Sequence, residues 1–381
     1  MNARKSLLSI AVLVAISGAA FADGGTVTTT QAGDKNALRV DQAFAAGSTT
    51  TINQTGAQND SNVYQTGRRN TATVTQVSEV ALPSGVEQVA KLNQGGRNND
   101  ATIHQEGTTA AKVSATINQG LYGGSYNKAG ISQVAGRDNA KAQINQNGDA
   151  NKGFITQYQT IEGSATINQG GAGNYGAINQ NDSYKAESVT LTQSGYANKG
   201  YINQYDTDLK NASVSQSGNN NFGYVEQANA NFGSAIITQD AAYSDARAYQ
   251  RGGNDSNATI AQTGTGNRAT TDQTGHNHSA TVKQQGADNG LVTVTQTGNG
   301  QKAEVTQNWG SNNTAYVNQS GVNNEEALLQ SGFSNTASIT QTGIAAAGYA
   351  NTVNLTQSGN LHSATVNQSG GASNSAVIVQ R

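Results

Sequence analysis

The sequence predicts an all-β fold: a β-solenoid of stacked strand-turn-strand rungs, about 22–23 residues per turn, with two facing parallel sheets. Three observations predict it. Glutamine recurs like a ruler from Gln31 to Gln380; 30 such anchors leave 29 intervals, of which fifteen are 11 residues and eight are 12. Between anchors, amides and small aliphatics alternate at period two with Thr, Ser and Lys, which marks a strand. After most anchors comes a Gly and then an Asn, residues suited to a tight turn. Composition agrees. The chain is 35% hydrophobic and 12% charged, against about 45–50% and about 25% in an ordinary globular domain. A conventional core lacks its large side chains. A net charge of -2 is too small for charge-driven disorder.

Taken in order, residues 1–22 read as a signal peptide. Arg4 and Lys5 precede an apolar run, Leu7–Ile16, and Ala20-Phe21-Ala22 offers a cleavage site before Asp23. The run is too short to span a bilayer. Residues 23–30 read as a short leader. Residues 31–381 read as one repeat domain, with loop insertions near 77–93, 120–128 and 343–352. The first of these holds the single proline, Pro83.

The best units are QTGRRNTATVTQ (Gln65–Gln76) and QSGFSNTASITQ (Gln330–Gln341). Gln296–Gln307 puts Gln301 where Asn is expected, and Gln146–Gln157 and Gln193–Gln204 put Gly where Ala is expected. On one face of each strand lie Asn, Ala, an aliphatic residue and Gln. An inward amide without partners costs about 1–3 kcal/mol. In a stack, the same amide recurs about 4.8 Å above, so amides can donate one way and accept the other. The predicted ladder comprises Gln31, Asn36, Gln42, Gln65, Asn70, Gln76, Gln193, Asn198, Gln204, Gln216, Asn221, Gln227, Gln330, Asn335, Gln341, Gln357, Gln368 and Gln380. The predicted turn glycines are Gly33, Gly67, Gly148, Gly195, Gly218, Gly298, Gly332 and Gly359. Two anchors per turn give about 15 turns, roughly 70 Å of stacked strands.

The pattern Q-x-G-x-x-N-x-A-x-x-x-Q resembles the curlin repeat of curli fibre subunits. Gln65, Gly67, Asn70, Ala72 and Gln76 occupy its positions, as do Gln330, Gly332, Asn335, Ala337 and Gln341. The resemblance implies a functional amyloid fibre of the extracellular biofilm matrix, a homopolymer that mediates surface adhesion. It also implies export through an outer-membrane pore and a nucleating partner subunit. Two features depart from the family: the number of repeats is larger, and DGGTVTTTQAG leads almost directly into the first anchor, without a long Gly-rich leader. Whether the chain is a major subunit or a nucleator stays open.

The ends suggest how copies would join. Asn36–Val40 and residues 372–380 both read as strands, and no capping helix is visible, so end turns can stack head to tail. Asp138, Asp149, Asp182, Asp240 and Asp272 could slow premature assembly, or be plain solvated turn residues.

Other chemistry is sparse. There is no cysteine, so no disulfide and no thiolate site. The charge gives no attraction to nucleic acid, and no segment after the signal suits membrane insertion. His276 and His278 form the single H-x-H, without acidic partners; His278 and His362 fall in the Asn position, which favours a ladder substitute, and His104 should point outward. No catalytic constellation, metal set or cofactor motif emerges, so no enzyme and no cofactor are expected. The alternative function is a soluble β-helical adhesin or carbohydrate-binding surface protein, for which Tyr122, Tyr126, Tyr158, Tyr175, Tyr184, Tyr201 and Tyr205 could build an aromatic patch. An ice-binding solenoid and a polysaccharide-degrading β-helix find less support in the residues.

Overall fold

A computed structural model describes residues 24–78, 88–107, 112–135, 139–184, 188–344, 350–371 and 373–381. The expected signal peptide, Asp138, and the centres of two expected insertions (79–87 and 345–349) lie outside the described residues. Strands are numbered β1 to β28 along the chain. Among the described residues there is no helix, and 77% are strand, in parallel stacked coils that form a β-solenoid of about 14 turns. β17 (Phe222–Ala242) and β18 (Asp245–Thr265) each run through both arms of their turn. This is why 28 strands carry 30 anchors.

Contacts divide the chain into two compact units: 1–150 with 154–162, and 151–153 with 163–381. Both are built from the same repeat, so no change of composition marks a boundary. In the first unit, β1 (Thr26–Ala32) pairs with β3 (Thr49–Thr55), and β3 with β5 (Thr71–Val77). β2 (Ala37–Ala43) pairs with β4 (Asn59–Thr66), and β4 with β6 (Gln88–Gln94). Each strand thus pairs in parallel with the strand two further on. In the second unit the same rule joins, for example, β13 (Tyr175–Asn181) to β15 (Lys199–Tyr205) and β14 (Ser188–Gln193) to β16 (Asp208–Asn219).

The period-two pattern explains why these segments are strands. In β3, Thr50, Ile52 and Gln54 are buried while Thr49, Thr51 and Asn53 are not. The aliphatic position forms the thin core: Ile52, Val63, Val74, Leu92 and Ile103 are fully buried in the first unit, as are Leu191, Ile202, Val214 and Val225 in the second. The Ala position keeps the arms close. At Gly200 even a methyl would press on the Leu191 side chain at 2.9 Å, so glycine there offsets a larger neighbour.

Three boundaries differ from the sequence reading. The expected leader 23–30 contributes residues 26–30 to β1, which pairs along its whole length with β3. Threonine in outward and inward positions hid this arm, because Thr29 stands where an aliphatic residue was expected. The insertion expected over 77–93 is shorter: Val77 closes β5 and β6 opens at Gln88, opposite Asn59. The one expected over 343–352 is also narrower, since strand β25 reaches Ile344 and β26 begins at Asn351. Of the insertion expected over 120–128, residues 120–127 lie between β8 (Val113–Gln119) and β9 (Lys128–Val134), and Lys128 opens β9.

Candidate functional site: interior amide ladders and the end turns

The inward glutamines bond to one another, turn after turn, always in one direction. In the first unit Gln31 Nε2 donates to Gln54 Oε1 at 2.6 Å, Gln54 to Gln76 at 2.9 Å and Gln76 to Gln105 at 2.8 Å. On the other arm Gln42 donates to Gln65 at 2.7 Å and Gln65 to Gln94 at 2.8 Å. The second unit repeats this. Gln193 donates to Gln216, and Gln204 to Gln227, each at 2.8 Å. Farther on, Gln330 donates to Gln357 at 2.9 Å, Gln341 to Gln368 at 3.0 Å and Gln357 to Gln380 at 2.7 Å. In every one of these bonds the donor lies on the earlier turn. The second N–H reaches a backbone carbonyl on the facing arm, as from Gln216 to Lys199 O at 3.1 Å and from Gln94 to Thr71 O at 2.9 Å. A buried amide is thereby satisfied on both hydrogens and on its oxygen.

The asparagines act differently from the expected amide-to-amide ladder. Asn198 Nδ2 donates to Ser194 O in its own turn and to Gly218 O in the next, both at 2.9 Å. Its Oδ1 accepts the backbone N–H of Asn221 at 2.9 Å. Asn70 and Asn335 make the same set. Side-chain-to-side-chain bonds occur at Asn36–Asn59, 3.0 Å, and Asn324–Asn351, 3.0 Å. The short side chain favours backbone partners: it closes a turn and caps the next one. Gln301 and His278 substitute as expected. Gln301 donates to Thr297 O at 3.2 Å and accepts from Asn324 N, and His278 Nε2 lies 3.0 Å from Thr274 O. His362 is the same, 3.0 Å from Ser358 O. His104 points outward, beside Glu106 at 3.1 Å.

All the predicted turn glycines have positive φ. At Gly67, φ 92°, a Cβ would run into Gly96 O of the next turn, so both conformation and close approach require glycine. The second positive φ of the turn falls on the residue before the motif Asn, such as Arg69 (55°) or Ala197 (55°), rather than on the Asn itself. That Asn is free to point inward because its backbone stays extended.

Sequence reasoning missed an outward asparagine row. Asn93 donates to Asn118 at 2.7 Å, and Asn118 to Asn145 at 2.8 Å. The recurrent Asn-Gln pairs of 93–94, 118–119 and 145–146 were the available signal. Three of the acidic residues read as possible brakes are engaged within the coil. Asp149 accepts Ser125 N–H at 2.8 Å, Asp240 accepts the Ser217 hydroxyl at 2.7 Å, and Asp272 pairs with Arg251 at 3.6 Å. Of the tyrosines proposed as a patch, Tyr175 and Tyr201 meet at 5.4 Å, and Tyr122, Tyr126, Tyr158, Tyr184 and Tyr205 are exposed. Among the described residues no group of His, Cys, Asp or Glu could hold a metal ion.

A few interior positions break the pattern. Glu326 stands in an Ala position, between Ala303 and Val353, fully buried, with no hydrogen bond to either carboxyl oxygen. Burial pushes its acid well above the usual range. Lys210 is buried in an Asn position, and burial lowers its ammonium to about 8. Burial likewise lowers the His278 imidazole.

The end turns leave the ladder open. Gln31 and Gln42 donate onward, yet among the described residues no hydrogen bond reaches their Oε1 atoms. Gln368 and Gln380 accept from Gln341 and Gln357 but donate only to Thr352 O and Ser363 O. Val27, an inward residue of β1, is 42% exposed, because nothing described covers it.

The curlin associated repeat is the family whose model matches this chain, over residues 45–77, 253–286, 287–321, 310–343 and 348–381. No curated protein matches the chain. Curlin-repeat proteins are structural subunits of extracellular fibres rather than enzymes. With one match in the first unit and four in the second, on a solenoid whose anchors fill the motif positions, the repeats support assigning the chain to the curlin-repeat family.

Proposed function

We propose that the protein is a subunit of a curli-like functional amyloid fibre and assembles by end-to-end stacking of its solenoid. One observation carries this reading: the glutamine ladders run in one direction and end in open acceptors at Gln31 and Gln42 and in open N–H donors at Gln368 and Gln380. A ladder with a donor end and an acceptor end adds identical copies head to tail, a contact that does not close. The inward amides from Gln31 to Gln380 are then both the fold's interior bonds and the bonds that each new copy extends. Parallel backbone edges at the end turns supply further N–H and C=O groups for the same addition.

Family membership supports an extracellular setting, and residues 1–22 supply a signal for export through the periplasm. In that setting the fibre contributes to a biofilm matrix and to surface adhesion, with a nucleating subunit and an outer-membrane pore as partners. The test is assembly of the purified chain lacking residues 1–22. At micromolar concentration it should form fibres within days, with reflections near about 4.8 and about 10 Å, and sonicated fibres should remove the lag. A chain that stays monomeric, with or without seeds, contradicts the proposal.

A further inference from the structure

The outer face of the second unit brings tyrosines of successive turns together. Tyr224 of β17 and Tyr249 of β18 have ring centroids 5.5 Å apart, tilted by 46°. Both are half-buried, so small solutes reach them. The Tyr224 hydroxyl donates to Glu226 Oε2 at 2.7 Å. Arg251 lies over the Tyr249 ring, 4.6 Å from its centroid, and donates from Nε to Glu226 Oε1 at 2.9 Å. Burial and the bond to Glu226 push the Tyr224 phenol up to about 12. It is therefore protonated at neutral pH, and it can lose an electron readily only if its proton leaves as well. Glu226 is hydrogen-bonded where that proton departs.

We propose that Tyr224 and Tyr249 form an oxidative cross-linking site at which hydrogen peroxide, acting through a one-electron oxidant, joins the two rings as dityrosine and fastens adjacent turns covalently. Each tyrosine gives up one electron and its phenolic proton, that of Tyr224 to Glu226. The two phenoxyl radicals couple through ring carbons ortho to oxygen. The hydrogens on those carbons move to the oxygens, which restores both phenols. The peroxide takes the two electrons and two protons and becomes two waters. Arg251 holds Glu226 and the Tyr249 ring in place. The site does not depend on fibre formation, since both rings belong to one chain.

The test uses the purified soluble chain with tris(bipyridine)ruthenium(II), persulfate and light as a small one-electron oxidant. Trypsin then releases Tyr249 within residues 248–251 and Tyr224 within 211–247. The folded chain should yield these peptides joined, with two hydrogens lost, about tenfold or more above the same chain oxidised in denaturant, since proximity raises the effective concentration of the partner ring. The Tyr175–Tyr201 pair, 5.4 Å apart, serves as reference. Tyr249→Phe should abolish the first product and leave the reference product. Glu226→Gln should lower the first product several-fold near pH 7 relative to the reference, with recovery as the pH rises toward that of the phenol. Equal yields in folded and denatured chains, a larger yield at the exposed Tyr196 or Tyr243, or an unchanged pH profile in Glu226→Gln would overturn the proposal.

Discussion

The glutamine column and the asparagine column lie on the same inner face, yet one admits no substitute and the other admits many. Each fully paired ladder sets Gln opposite Gln, from Gln31–Gln54 to Gln357–Gln380. The asparagine column holds Ser48, Ser244, Gly290 and His362 on one arm, and Gln88, Val113, Lys210, Gly233, Ser256, His278 and Gln301 on the other. The difference teaches what each bond demands. A glutamine bonds to the same atom type one turn away, so both partners need the same length and both amide atoms. The asparagine position needs only an oxygen for the next backbone N–H, and a hydroxyl suffices: Asn267 N donates to Ser244 Oγ at 3.3 Å. Identity is required where a side chain meets its own copy, and is relaxed where it meets backbone.

The sharpest way to break this comparison is to delete an interior glutamine. Gln216→Ala would remove a bond from one N–H of Gln193 Nε2, which keeps its bond to Tyr175 O, and from Gln239 Oε1 and Lys199 O. At about 1–3 kcal/mol per buried group that loses its partner, the loss should be on the order of 3–9 kcal/mol. Denaturant unfolding of the soluble chain should show it, and assembly should slow in parallel; Gln307→Ala should behave alike. A loss no larger than that of an outward Thr295→Ala, which should stay within about 0.5 kcal/mol, would remove the ladder's special standing.

Next comes Glu326, which tests the cost of a misfit in the aliphatic stripe. No titratable side chain faces it from the inner faces of the neighbouring arms, where Ala303, Val353, Ala315 and Ala337 lie, and the nearby Glu304 charge adds to the rise that burial causes. Its folded pKa is raised. Below the ordinary carboxyl range both folded and unfolded chains keep the proton, and no penalty arises. As pH rises through that range the unfolded chain ionises and the folded one does not, so stability falls until the raised folded pKa is reached. Glu326→Ala should therefore melt well above the parent at pH 7 and close to it near pH 4. Equal melting at pH 7 would show that the carboxyl finds a partner after all.

Smaller effects should separate the two columns further. Asn198→Ala should cost about 1–3 kcal/mol by unpairing a turn, whereas Asn198→Ser, which keeps an acceptor, should cost clearly less. A serine variant as poor as alanine would contradict the backbone-acceptor role. Thr271 fills an aliphatic position and its buried hydroxyl has no partner. Thr271→Val should stabilise by about 1 kcal/mol in the same unfolding measurement, and a loss would show that the hydroxyl is satisfied.

Much of this was legible in the sequence, for the reason the comparison gives. Self-pairing forces strict recurrence, so Gln65, Gln76 and Gln216 declare themselves by spacing. The turn glycines were legible because close approach leaves no room for a side chain. The asparagine role was not, since a side chain that bonds to backbone leaves no partner in the sequence to match; Asn198 and Asn221 look like another ladder until Oδ1 is seen to accept a backbone N–H. β1 was hidden because Val27 and Thr29 do not follow the Ala-aliphatic pattern. The pairing of Tyr224 with Tyr249 depends on diagonal neighbours across two turns, and a one-dimensional repeat does not display diagonals.

The central claim is that the ladder continues from the last turn of one molecule into the first turn of the next. The chain has no cysteine, so disulfides can report that contact directly. Outward positions Thr28 of β1 and Thr365 of β27 (Ser363–Ser369) hold equivalent places in their strands, each opposite the matching residue of the neighbouring turn. Stacked in step, their Cα atoms would sit about 4.8 Å apart, within disulfide range. Fibres of a T28C/T365C variant, mildly oxidised, should run as a ladder of multimers on a non-reducing gel. Fibres of T73C/T365C, whose first cysteine lies two turns inward, should not. Fibres that form normally yet give no ladder with the first pair, or the same ladder with both, would contradict the account.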